Sequence, residues 1–166
     1  VENEPNSEII TPDLLRALRL EYRMNWNGVH GYSHWVRVRE NGLRLAELTG
    51  ANPRVVELFA FLHDICREND IIDPGHGQRA ADFAARQPYV RELLTEEELR
   101  LLQLACAGHT RGHIQADLTV QVCWDADRLD LGRIGIHPIA ERLCTEAARQ
   151  ADFIEWAYRR SLGQEA

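Results

Sequence analysis

The sequence predicts an all-α fold on three observations. Helix-capping signals recur ahead of apolar runs, apolar residues repeat at steps of three and four, and alternating strand patterns are nearly absent. Thr11-Pro12 reads as an N-cap with proline at the first helical position, opening a segment that carries Leu14, Leu15, Leu18 and Tyr22. A second helix is expected from near Ser33 to Gly50, a glycine stop. Asn52-Pro53 opens a third, through Val56, Phe59 and Leu62 to about Glu68. Residues 69–77 read as loop, and a short helix follows from His76 to Arg86. Thr95 and Glu98 form a capping box that starts a fifth helix, ending around Gly108. Asp117 caps a sixth through Leu131, although Val120-Gln121-Val122 has strand propensity. Pro138 starts a last helical region that reaches Leu162.

With 166 residues the chain is expected to build a single domain with one core, needing neither disulfides nor metal for bulk stability. Hydrophobic residues at 45% and charged residues at 27% exclude wholesale disorder. Nineteen Lys plus Arg against 26 Asp plus Glu give a formal charge of -7, so no polymeric nucleic-acid partner is expected. No apolar run approaches the length of a membrane span, and residues 1–6, acidic and polar, do not read as a signal peptide. Cys66, Cys106, Cys123 and Cys144 lie far apart without C-x-x-C spacing, which favours reduced thiols and a cytoplasmic location.

The informative residues are polar ones in apolar company. His63 and Asp64 interrupt Phe59-Ala60-Phe61-Leu62 and Ile65-Cys66, a segment apolar enough to be interior. A buried carboxylate without a partner costs several kcal/mol, so the pair must meet a cation, a donor or a metal. An internal His–Asp hydrogen bond would satisfy that need equally well. The anomaly recurs, however. His34 shares a stripe with Val38, Leu45 and Leu48, and Asp127 falls in the series Val120, Trp124, Asp127, Leu131. Three helices each turning His or Asp inward are most economically explained by a shared divalent metal, with Mn, Fe, Zn, Ni or Mg suited to such donors.

In this order the residues resemble the H…HD…D signature of the HD-domain superfamily of metal-dependent phosphohydrolases. His34-Trp35-Val36-Arg37-Val38 is similar to the family's H-x-x-R-V helix, and Phe61-Leu62-His63-Asp64-Ile65 to its L-L-H-D-I segment. Asp127-Arg128-Leu129-Asp130 is similar to its D-R-L-D element. The likeness spans about residues 28–135, with the helices of 138–162 packing on that unit. It implies a compact helical HD-type fold with the metal between core helices. It also implies one metal held by His34, His63, Asp64 and Asp127, with Asp64 bridging to a second metal where one is present. His76 resembles the H-x-x-x-A/G element of two-metal members. His109, continuing the stripe of Leu102 and Cys106, matches a later ligand of that subgroup.

Arginines supply the substrate side. Arg37 stands one turn from His34, Arg67 one turn from His63, and Arg128 follows Asp127. Planar guanidinium matches phosphate bidentately, so a small phosphorylated substrate is expected, with nucleotides the leading class by the resemblance. Arg67 occupies a position that often holds Lys in related sequences, so substrate choice does not carry over. Asp64 and Arg67 are the expected catalytic residues, and Arg37, Arg67 and Arg128 the expected substrate contacts. Two alternatives stay open: an HD-type oxygenase with two irons, and a regulatory domain that only binds a nucleotide. His30 and His113, each four residues from a better candidate, read as groups supporting the ligands from behind or as exposed residues, His137 as a loop residue, Glu68, Asp70 and Asp73 as solvated loop acids, and Trp35 and Trp124 as packing.

Overall fold

The computed structural model describes residues 5–164, so most of the acidic amino-terminal stretch, residues 1–4, lies outside the described residues. Among these the chain is all-helical, as expected: α1 (Pro12–Glu21), α2 (Tyr32–Thr49), α3 (Pro53–Leu62), α4 (His76–Arg86), α5 (Pro88–Arg91), α6 (Glu96–Gly108), α7 (Leu118–Arg128), α8 (Glu146–Arg149) and α9 (Ala151–Ser161). Two short 3₁₀ turns, Leu131–Ile134 and Ala140–Arg142, lie between α7 and α8.

The caps read from sequence form. Thr11 Oγ1 accepts from Leu14 N–H, Asn52 Oδ1 from Arg54 N–H, and Asp117 Oδ1 from Thr119 N–H. Thr95 and Glu98 exchange both bonds of the capping box, and Glu98 Oε2 also accepts from Asn52 Nδ2 at 2.9 Å. One glutamate thus ties the start of α6 to the start of α3. Gly50 ends α2 with φ of 81°, a left-handed conformation that costs a glycine little.

α3 is the central post. Every residue from Val55 to Leu62 is buried, because α2 and α7 cover one side and α6 another. Full burial of a side chain such as Phe59, Phe61 or Leu62 contributes roughly 1.5–3 kcal/mol. Gly42 makes the α2–α3 crossing tight: a Cβ there would stand 2.4 Å from Val56 Cγ1. α4 lies along α6 as a second pair. Tyr22, Trp26 and Trp35 pack edge to face under the α1–α2 connection, with centroids 5.0–6.2 Å apart.

The structure departs from expectation at several places. α3 stops at Leu62 rather than near Glu68. Ile65 N–H bonds Leu62 O at 3.1 Å and Arg67 N–H bonds Asp64 O at 3.2 Å, three-residue closures that tighten the chain and end the helix at the HD pair. α7 ends at Arg128, and the 138–162 region is broken into the 3₁₀ turn Ala140–Arg142, α8 and α9; Asp125 accepts from both Cys144 N–H and Thr145 N–H and pins the turn ahead of α8. Leu48, expected on the His34 stripe, is 64% exposed; Trp35, Asn41 and Gly42 share the inward face instead. Val120–Val122 is helical, and the short α5 had no counterpart in the sequence reading. No helix of the described residues is long and apolar enough to cross a membrane.

Candidate metal centre

Five helices and one tightened turn deliver six side chains to one point. His34 comes from the first turn of α2, His63 caps α3, and Asp64 follows it. His76 opens α4, His109 caps α6, and Asp127 lies in the last turn of α7. They form two trios: His34, His63 and Asp127, and Asp64, His76 and His109. In the first, His34 Nε2 lies 3.0 Å from His63 Nε2 and 3.3 Å from Asp127 Oδ1. In the second, His76 Nε2 lies 2.9 Å from His109 Nε2 and 3.1 Å from Asp64 Oδ1. The other oxygen of Asp64, Oδ2, stands 3.4 Å from His63 Nε2 and 3.6 Å from His34 Nε2. Asp64 therefore offers one oxygen to each trio.

The donor chemistry fits a pair of divalent cations. All four imidazoles are anchored through Nδ1. His34 donates to Asp130 Oδ2 at 2.6 Å, His63 to the Phe59 and Ala60 carbonyls at 3.1 Å, His76 to Asp73 O, and His109 to Cys106 O at 2.7 Å. Each Nε2 lone pair is thereby aimed inward, where it faces other acceptors. Acceptors converge like this only around a positive charge. Bonds near 2.1 Å would set neighbouring donors about 3.0 Å apart in an octahedral shell and about 3.4 Å in a tetrahedral one, close to the 2.9–3.6 Å separations seen.

The centre draws positive charge: without a cation between them, the carboxylates draw a proton onto His63 instead. Burial opposes charge on His63, but Asp64 and Asp127 outweigh it and push its pKa up to about 10. Burial likewise works against ionised Asp64 and Asp127. The His63 charge and the surrounding imidazole hydrogen bonds hold both carboxyls well below the usual range. Burial lowers His109, so its lone pair is available for coordination. Asp127, 15% exposed, is the most open of the six; the others are at most 3% exposed.

Three residues around the centre were missed or undervalued in the sequence. Asp130 is fully buried and holds both His34 and the Arg37 fork, with Nε at 2.7 Å and Nη2 at 3.1 Å. Its i, i+3 spacing from Asp127 was the available signal. His30, buried, sets Nδ1 3.2 Å from Asp64 Oδ2 and Nε2 3.3 Å from Asp70 O. Gly77 follows His76, and a Cβ on it would meet Cys106 O at 2.5 Å, so α4 can lie this close to α6 only with glycine there.

The arginines are divided. Arg37 is spent on Asp130, and Arg67 donates from Nε to Asp64 Oδ1 at 3.2 Å and from Nη1 to Asn69 O. Because α3 ends before it, Arg67 meets Asp64 across a turn rather than His63 along a helix. Arg128 donates to Arg142 O and His113 O beside a cleft of about 620 Å³ that His109 also lines. A smaller cleft of about 290 Å³, lined by Arg23, Arg67, Arg79 and Arg86 together with Glu21, Glu68 and Asp82, carries none of the six inward residues. Asp73 is no solvated acid: it accepts from Arg79 and from Glu68 N–H. His113 and His137 are exposed, while Trp35 and Trp124 pack with their indole N–H groups bonded to His30 O and Ala105 O. Cys106 and Cys123 are buried free thiols.

Fold and centre together define a helical domain built round a His/Asp cluster able to hold two metals. The family model of the HD domain matches residues 31–132, and the chain belongs to that family. A crystal structure from an uncultured Thermotogales bacterium, described as a predicted HD superfamily hydrolase, is similar with a TM-score of 0.69 and 24% identity, over 93% of this chain and 88% of that one. That likeness shows the fold. No curated protein matches the chain.

Proposed function

We propose that the protein is a metal-dependent phosphohydrolase acting on a small phosphorylated substrate, with nucleotides among the first to test. The observation that carries this reading is Asp64, whose two oxygens serve two anchored trios. His34, His63 and Asp127 would hold one divalent ion, His76 and His109 the other, with Asp64 shared. Bound there, such ions supply Lewis-acid activation of water and of a phosphoryl oxygen.

The chain's own residues do the rest. Asp130 and Arg37 fix the ring of His34, and the backbone carbonyls fix the other three rings, so the donors need little reorganisation. Arg67 braces and partly neutralises Asp64, leaving Nη2 as its group for a phosphoryl oxygen. Arg128 stands beside Asp127, the most open donor, with its guanidinium held by two carbonyls and pre-oriented for an anion. Arg37, committed to Asp130, acts as a positioning residue in this scheme rather than as a phosphate contact.

The test is elemental analysis of protein purified without chelator, followed by a phosphate-release screen over phosphomonoesters and phosphodiesters. The reading expects about two metals per chain and release that chelator abolishes and metal restores. Full metal content with no release from any ester, and oxygen uptake with iron instead, would overturn it in favour of oxygenase chemistry.

A further inference from the structure

We infer that the 620 Å³ cleft beside His109 seats the organic group of the substrate, and that this group presents an apolar face. The inference rests on the phosphohydrolase reading and adds a substrate class to it: phosphate esters of aromatic or branched apolar alcohols.

Four observations carry it. The cleft adjoins the centre, because His109, whose Nε2 lies 2.9 Å from His76 Nε2, is among its lining residues. Its size falls among small-molecule pockets, roughly 300–1,000 Å³. Its outer wall carries Ile136 and Ile139, which are 50% and 49% exposed, apolar surface that a ligand would take out of water. Its charge is one-sided. Arg128 and Arg142 line it with no acidic residue, and the Arg142 side chain makes no hydrogen bond or ion pair among the described residues. A phosphate ester with an apolar organic group matches both properties at once, anionic toward the arginines and greasy toward the isoleucines. A sugar phosphate would set hydroxyls against Ile136 and Ile139. These two residues and Arg142 lie beyond the segment 31–132 that the family model matches.

Calorimetric titration of the manganese-loaded protein with phenylphosphonate and methylphosphonate tests this without turnover. Phenylphosphonate should bind about tenfold tighter. In the Ile136→Gln, Ile139→Gln double variant that preference should fall to about twofold, with methylphosphonate affinity and Tm held, since both positions are half exposed. Equal affinities in the wild type, or a preference that survives the double substitution, would overturn the cleft assignment and leave the phosphohydrolase reading standing. Failure of both phosphonates to bind would instead remove that reading, and the inference with it. A wild-type dimer in sedimentation that the double variant dissolves would assign the isoleucines to self-association, which also overturns the proposal.

Discussion

The two halves of the centre are built from the same donors but held by different means. The His34, His63 and Asp127 trio sits on the long α2, the end of the buried α3, and α7, and behind His34 stands a charged pair, Asp130 with Arg37. The His76 and His109 half is anchored by backbone carbonyls only, and His76 hangs from a loop acceptor, Asp73 O. A carboxylate behind an imidazole raises its basicity and fixes its tautomer, where a carbonyl mainly fixes the tautomer. The first half should therefore bind its metal more tightly, and the second should load later and empty sooner.

Asp64 is where the halves meet, so its loss should erase the contrast. Asp64→Ala is expected to strip both metals and lower kcat/KM by at least about a thousandfold, while helical circular dichroism persists. One metal retained at wild-type affinity would show that the carboxylate serves only one half. The next change separates them. Asp130→Asn keeps an oxygen for His34 Nδ1–H but removes the charge, and should weaken the first metal about 10- to 100-fold. The second should change by less than about threefold, as read by competition with a chromogenic chelator. Equal weakening at both would mean that the halves do not differ in the way their anchors imply.

Gly77→Ala reaches the second half through packing. The added methyl cannot stand 2.5 Å from Cys106 O, so α4 must move off α6 and carry His76 away from His109. A loss of about 1–3 kcal/mol in stability is expected, with the second metal weakened and the first retained. Thermal melts at fixed chelator strength, with and without metal, would measure both effects.

These dependencies also mark what a single sequence makes legible. Caps and apolar periodicity mark the helices because both are local, and the ordered H…HD…D residues mark four side chains that the fold brings together. Asp130 was visible in the same D-R-L-D element, but its partner His34 is 96 residues away, and only the fold shows that they meet. The early stop of α3 escaped notice because Phe59–Ile65 is uniformly apolar around the HD pair, and a tightened turn leaves no periodic mark. Arg67 was misplaced for that reason. Gly77 carries no mark in the sequence, since close approach of two helices is a property of the pair and not of either segment.

The smallest expected effect lies in the loop that carries His76. Asp73 accepts from Arg79 Nη2 with both oxygens, at 2.7 and 2.6 Å, and from Glu68 N–H at 2.8 Å. Burial works against its charge, but these donors hold the carboxyl below its ordinary value of 3.8. A carboxyl whose folded pKa is depressed stabilises the fold fully above the unfolded value and loses that contribution as pH falls through the folded one. The clamp is therefore intact at neutral pH, and its contribution declines only once pH falls below the ordinary value toward the depressed folded one. Arg79 is 36% exposed, so solvent screening limits the pair to about 1 kcal/mol. Asp73→Asn should lower Tm at pH 7 by a few degrees, with the gap from wild type closing as pH falls from about 4 toward 2. Because the same loop residue supplies the carbonyl that anchors His76 Nδ1, the variant should also release its second metal faster while the first stays put. A gap that is constant with pH, or a faster loss from the first half, would mean that the Asp73 carboxylate does not hold this loop and that the asymmetry of the centre has another origin.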